Sequence, residues 1–116
     1  MEKRVELNLL NDFYGPLLTP RRHDLVRMYC EEDLSLSEIA DEWGVTRQGV
    51  YDALRHATRQ LERYESRLKL LARYLAVERE ITTCRELLLR VAPQPGSERA
   101  LDDARRALDR IELTQA

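Results

Sequence analysis

The stretch from Leu36 to Arg55 narrows the fold more than any other part of the chain. It reads Leu36-Ser37-Glu38-Ile39-Ala40-Asp41-Glu42-Trp43-Gly44-Val45-Thr46-Arg47-Gln48-Gly49-Val50-Tyr51-Asp52-Ala53-Leu54-Arg55. Two short helices that cross steeply need a small residue where they meet, and Ala40 is placed for that. They need a turn residue that tolerates positive φ, and Gly44 follows four positions later. The second helix needs a cap, which Thr46 offers. Ile39, Trp43, Val45, Val50 and Ala53 or Leu54 supply the apolar contacts. So many position-specific demands met within one short stretch describe a helix-turn-helix.

The flanking sequence is helical too. Val5, Leu9, Leu10 and Phe13 fall on one stripe of a helix over 2–14, which Gly15-Pro16 ends. Thr19-Pro20 starts a second helix, with Leu25, Met28 and Tyr29 as its inner face. Glu31-Glu32-Asp33 marks its exit, because the C-terminal end of the helix dipole disfavours negative charge. Ser35 and Glu38 have the spacing of a capping box. No Pro or Gly occurs between Tyr51 and Ala92, so the helix that starts at Arg47 either runs far beyond the motif or breaks once near Tyr64–Arg67.

Further on, Tyr74, Val77, Ile81, Cys84, Leu88 and Val91 alternate spacings of three and four, a heptad-like seam. Pro93-Gln94-Pro95-Gly96 reads as a turn and Ser97 as the cap of a last helix carrying Leu101, Ala104, Leu108 and Ile111. The tail is therefore a helical extension, an antiparallel helical hairpin, or a seam shared between two subunits of a homodimer. The expected fold is all-α, with a helix-turn-helix domain over 1–64. A helical tail over 65–116 packs on it or forms an oligomer interface.

Composition agrees and excludes some functions. The chain has 116 residues, 43% hydrophobic and 34% charged, which suits one globular domain and is too apolar for disorder. The formal net charge of −2 excludes a protein that coats DNA through a global basic field; nucleic-acid binding has to come from a local patch. Cys30 and Cys84 lack metal or CxxC spacing and read as reduced core thiols. No apolar run approaches the roughly 18 residues of a membrane span, and the N-terminus lacks a signal-peptide core. A cytoplasmic location without membrane insertion is expected. No Gly-rich phosphate loop, metal-spaced cluster or nucleophile–base arrangement occurs, so no enzyme activity, cofactor or metal is expected. His23 and His56 are isolated. The five tyrosines could stack on bases, but their helical spacing favours partial burial for most.

Within the motif the second helix is the one that reads nucleic acid. The candidate contact residues are Thr46, Arg47, Gln48, Tyr51, Arg55 and Arg59. Arg suits guanine and Gln suits adenine at the major-groove edge. Arg55, Arg59 and Arg63 lie farther along, within reach of phosphates. Residues 46–64 hold four arginines against Asp52 and Glu62, whereas 35–43 hold three acids and no base. Against this reading, Asp52 repels phosphate, and the arginines also fit a solvated face with ion pairs such as Arg59 with Glu62. Helix-turn-helix units bind proteins as well.

Leu9-Leu10-Asn11-Asp12-Phe13-Tyr14-Gly15-Pro16-Leu17-Leu18-Thr19, together with Ser35-Leu36-Ser37-Glu38-Ile39-Ala40 and Thr46-Arg47-Gln48-Gly49-Val50-Tyr51-Asp52, resembles the YlxM family of helix-turn-helix proteins. The motif half also resembles region four of primary sigma factors. The match is most specific from Leu9 to Leu70. The resemblance implies regulation in the signal recognition particle pathway, by DNA binding or by direct contact with the particle's RNA or protein. It implies no catalytic residue. Gly49 stands where the family usually has Ala.

Overall fold

The computed structural model describes residues 1–115. Among them are six α-helices, one 3-10 turn and no strand, as the all-α reading expects. The helices are α1 (Lys3–Tyr14), α2 (Pro20–Cys30), α3 (Leu36–Trp43), α4 (Arg47–Leu68), α5 (Leu70–Arg90) and α6 (Glu98–Gln115), and the 3-10 turn is Gly15–Leu17. The chain forms two compact units, Met1–Leu71 and a second beginning at Ala72.

In the first unit α1 packs on α2 and α4, and α3 packs on α4 and α2. Leu25, Val26, Ile39, Ala57 and Leu61 form its buried centre. The face that α1 turns inward differs from the predicted stripe. Leu7, Leu10, Asn11 and Tyr14 are buried, whereas Val5 is exposed and Leu9 and Phe13 are half-buried. Tyr14 takes the inner position because its hydroxyl finds partners there. It donates to Glu65 Oε1 at 2.6 Å and accepts from the Leu70 N–H at 3.0 Å. Gly15 does more than end the helix. A Cβ there would lie 2.7 Å from the His23 ring, so any larger residue would have to displace that ring from its packing against α1.

The helix ends follow the local signals. The Thr19 hydroxyl accepts from the Arg22 N–H at 3.3 Å. Ser35 and Glu38 form the reciprocal capping box, with both bonds at 3.1 Å. α2 ends at Cys30, just before the acidic run, and Asp33 adopts φ 54° in the loop that follows.

Helix α4 runs to Leu68 and breaks at Lys69, where φ is 55°. The break lies beyond the predicted Tyr64–Arg67 window, and α4 is continuous across 64–65, where the domain boundary was expected. Tertiary contacts decide its position. The Lys69 N–H donates to the Glu65 carbonyl, and the Glu65 carboxylate accepts from Tyr14 and from the Leu71 N–H at 3.0 Å. Tyr14 and Glu65 thus satisfy the free amides that open α5.

In the second unit α6 folds back antiparallel to α5. Arg85 bridges to Asp109 at 2.7 Å and Glu112 at 3.0 Å, and Gln115 donates to Glu78 at 2.8 Å. The predicted apolar seam is only partly used. Ile81 is buried and Tyr74 and Leu88 are half-buried, but Val77, Cys84 and Val91 are exposed. Glu78 and Arg85 alternate with the inner residues, so charged contacts replace part of the seam. Ser97 holds the position before α6, where its carbonyl accepts from the Leu101 N–H, while its hydroxyl accepts from the Gln94 N–H and donates to the Gln94 carbonyl, so the side chain ties the turn.

Candidate nucleic-acid interface

The crossing of α3 and α4 has the predicted construction. Ala40, Ile39, Val50 and Leu54 are buried where the helices meet. Gly44 adopts φ 65°, and its N–H donates to the Asp41 carbonyl while that of Val45 donates to the Ala40 carbonyl. This is the Schellman arrangement that ends a helix and reverses the chain. The reversal leaves Val45 42% exposed, although its spacing in the sequence placed it among the apolar contacts of the crossing. Trp43 is half-buried, and the Arg21 guanidinium lies over its ring at 4.5 Å. That stacking joins α2 to α3 and was not predicted from the sequence.

The Thr46 hydroxyl accepts from the Gly49 N–H at 3.0 Å, so it is occupied as a cap. A Cβ on residue 49 would sit 3.1 Å from that hydroxyl. Glycine therefore relieves crowding at the cap, at some cost in helix propensity.

Arg47, Gln48, Tyr51, Arg55 and Arg59 are all exposed on α4. Arg47, Tyr51, Arg55 and Arg59 recur every four residues and form one stripe along the helix. Gln48 lies on a neighbouring stripe, where its Nε2 donates to Asp52 Oδ1 at 3.1 Å. That amide must leave Asp52 before it can address a base edge. His56 Nδ1 lies 2.8 Å from the Asp52 carbonyl oxygen of the preceding turn.

Among the described residues, ion pairing divides the arginines of the chain, and those of α4 share the unpaired set with others such as Arg73, Arg79 and Arg99. Arg27, Arg85, Arg105 and Arg106 each face a carboxylate of the chain. Among the described residues, Arg47, Arg55, Arg59 and Arg63 form no ion pair, and the alternative pair of Arg59 with Glu62 is not made. The tyrosines divide in the same way. Tyr14 is buried and Tyr29, Tyr64 and Tyr74 are half-buried, while Tyr51 stands out at 45% exposed.

Beside this stripe lies a groove of about 560 Å³ between α1 and α4. Tyr51, Arg55 and Arg59 border it on one side and Lys3 and Arg4 on the other. Arg4 is held by Asp33 and lies 4.0 Å from the centre of the Tyr29 ring. Sequence reasoning missed Lys3 and Arg4 because only the packing of α1 on α4 brings them to the motif, and it gave Tyr29 only on the inner face of its helix and as one of five tyrosines, without its place beside α4. Among the described residues no cluster of His, Cys, Asp or Glu is arranged to hold a metal. No helix among them is long and apolar enough to cross a membrane.

Residues 1–92 match the family model described as "Putative helix-turn-helix protein, YlxM / p13 like". A UPF0122 protein of Symbiobacterium thermophilum is 41% identical over 116 residues, which is 100% of this chain and 90% of the relative. One from Shouchella clausii is 38% identical over 112 residues, covering 97% of this chain and 96% of its own length. One from Lacticaseibacillus casei is 45% identical over 83 residues, 72% of this chain and 74% of the relative. With its helix-turn-helix in place and the family pattern matched over most of its length, the chain belongs to the UPF0122 family of YlxM / p13-like proteins.

Proposed function

We propose that this chain is a cytoplasmic regulatory protein that binds duplex DNA by laying the first turns of α4 in the major groove. One observation carries the reading. Arg47, Tyr51, Arg55 and Arg59 form an exposed stripe on the second helix of a helix-turn-helix, and its arginines have no carboxylate partner among the described residues. In this arrangement Arg47 addresses guanine and Gln48, once released from Asp52, addresses adenine. Arg55 and Arg59 contact phosphates and hold the register. Thr46 orients the helix through its cap.

The pathway in which we place it is that of the signal recognition particle, which the family resemblance suggests. A gel shift at graded salt with DNA from upstream of its own operon tests the reading. Retardation that weakens with salt and is reduced by Arg47→Ala is expected. No retardation at low salt would overturn it.

A second reading is favoured by Asp52 on the recognition face and by the net charge of −2. In it the protein is an accessory factor that contacts the particle's RNA or protein directly. Retention on reconstituted particle, with and without its RNA, separates the two readings. We also propose that the tail supports a homodimer, because Leu87, Leu89 and Leu113 are exposed on α5 and α6. Sedimentation showing only monomer at high concentration would exclude this.

A further inference from the structure

The α1 and α2 walls of the groove have no role in major-groove reading, yet the α4 wall belongs to the stripe that performs it. We propose that the groove holds one unpaired nucleotide of a DNA strand adjoining the duplex on α4. The inference rests on the reading that α4 binds DNA and adds a feature of the DNA it prefers.

Three observations on the groove converge. Its floor is apolar, made by Leu7, Leu10 and Leu54. Its sides carry the exposed ring of Tyr51 from α4 and the half-buried ring of Tyr29 from α2, one face of which the Arg4 guanidinium covers at 4.0 Å. Stacking on tyrosine suits any base, because every base has a π face. Its rim holds Lys3, Arg55 and Arg59, none of them ion-paired among the described residues. These are the groups a sugar–phosphate needs.

The acidic residues are placed to orient such a ligand. Tyr14 at the end of α1 meets Glu65 and Leu70, so α1 and α4 run in the same direction. Lys3 therefore lies near Tyr51 and Arg55, at the recognition end, and Glu62 lies at the far end of the groove. Glu6 sits one turn in from Lys3. Lys3 and Arg55 outweigh Glu6 at the recognition end, whereas Glu62 disfavours phosphate at the far end, so the strand that Arg55 would contact leads into the groove from the recognition end.

The groove's volume falls within the range of ligand sites, but it is open to solvent where small-molecule sites enclose most of the ligand. An open, cationic groove fits a segment of a polymer. Bases inside a perfect duplex cannot reach it, whereas an unpaired base enters with little unstacking cost.

The test uses the full chain and a duplex carrying a single bulged 2-aminopurine, against the same duplex fully paired. Anisotropy should give at least fivefold tighter binding to the bulge, and the 2-aminopurine fluorescence should fall on binding. Thr58→Phe, which fills the groove, and Lys3→Ala should each abolish the preference and the quench. Both should keep affinity for the paired duplex within twofold. Should Thr58→Phe fail to fold by circular dichroism, Lys3→Ala decides, since Lys3 is exposed. Equal binding of the two DNAs without quenching overturns the groove inference alone. Binding of neither overturns the DNA reading as well. Tight binding only to the corresponding RNA bulge overturns the assignment to DNA.

Discussion

Asp52 is the one acidic side chain within the first turns of the proposed reading helix, and its removal should strengthen DNA binding. The carboxylate accepts from Gln48 Nε2 at 3.1 Å and lies three residues before Arg55. A duplex that brings phosphates to Arg55 brings them near Asp52. At a separation of about 8 Å in a water-like dielectric, each phosphate would be repelled by roughly 0.5 kcal/mol. Two flanking phosphates then oppose binding by about 1 kcal/mol, or roughly fivefold in Kd. Asp52→Asn removes the charge and keeps an acceptor for Gln48, so it isolates this effect. Fluorescence anisotropy at about 10 mM salt should show Kd falling roughly fivefold. At 0.15 M the gain should shrink to about twofold, because the Debye length is then close to the charge separation. Asp52→Ala also frees the Gln48 amide. An exposed hydrogen bond holds at the low end of about 0.5–1.5 kcal/mol, so this should add about twofold on adenine-containing sites. Unchanged or weaker binding by Asp52→Asn at low salt would refute the placement of this face against phosphate.

Two further predictions concern the first unit. Tyr14→Phe leaves the Leu70 N–H unpaired and the Glu65 carboxylate short of a donor, at a cost of about 1–3 kcal/mol. For a unit of this size the melting temperature should fall by about 10 °C, and an unchanged melt would refute the account of the α4–α5 break. Burial, followed by the bond to Glu65, raises the Tyr14 hydroxyl above its ordinary pKa of 10.0. The stability it confers is therefore complete below that value and lost as the pH climbs through the raised one, a loss Tyr14→Phe should not show in alkaline melts. Burial pushes the Cys30 thiol up to about 11, so about a thousandth of it is thiolate at pH 8. Iodoacetamide should modify the exposed Cys84 at least tenfold faster, and equal rates would contradict the packing of α2.

What could be read from the sequence depended on the range of the interaction. Thr19, Ser35 with Glu38, Gly44 and Thr46 act on partners within a few residues, so spacing alone located them. The inner face of α1 was not legible in this way. Phe13 and Tyr14 are adjacent, both apolar enough for a core, and the choice between them rests on Glu65 and Leu70, more than fifty residues away. The same contact sets the break at Lys69, which no Gly or Pro announces. The tail shows the converse. Its apolar period suggested a continuous seam, but Glu78 and Arg85 take inner positions because α6 supplies Gln115, Asp109 and Glu112 to meet them. The site divides along this line too. The stripe from Arg47 to Arg59 belongs to one helix and follows from a four-residue period. Lys3 reaches it only because α1 packs along α4, and Tyr29 only because α2 packs beside them. The residues that recognise a base edge were therefore legible from local spacing. Of those proposed to select an unpaired nucleotide, Tyr51, Arg55 and Arg59 were legible in the same way, but Lys3 was not, because tertiary packing alone brings it to the groove. Substitutions in the two sets should accordingly separate, with Arg47→Ala weakening every DNA and Lys3→Ala weakening only the bulged one.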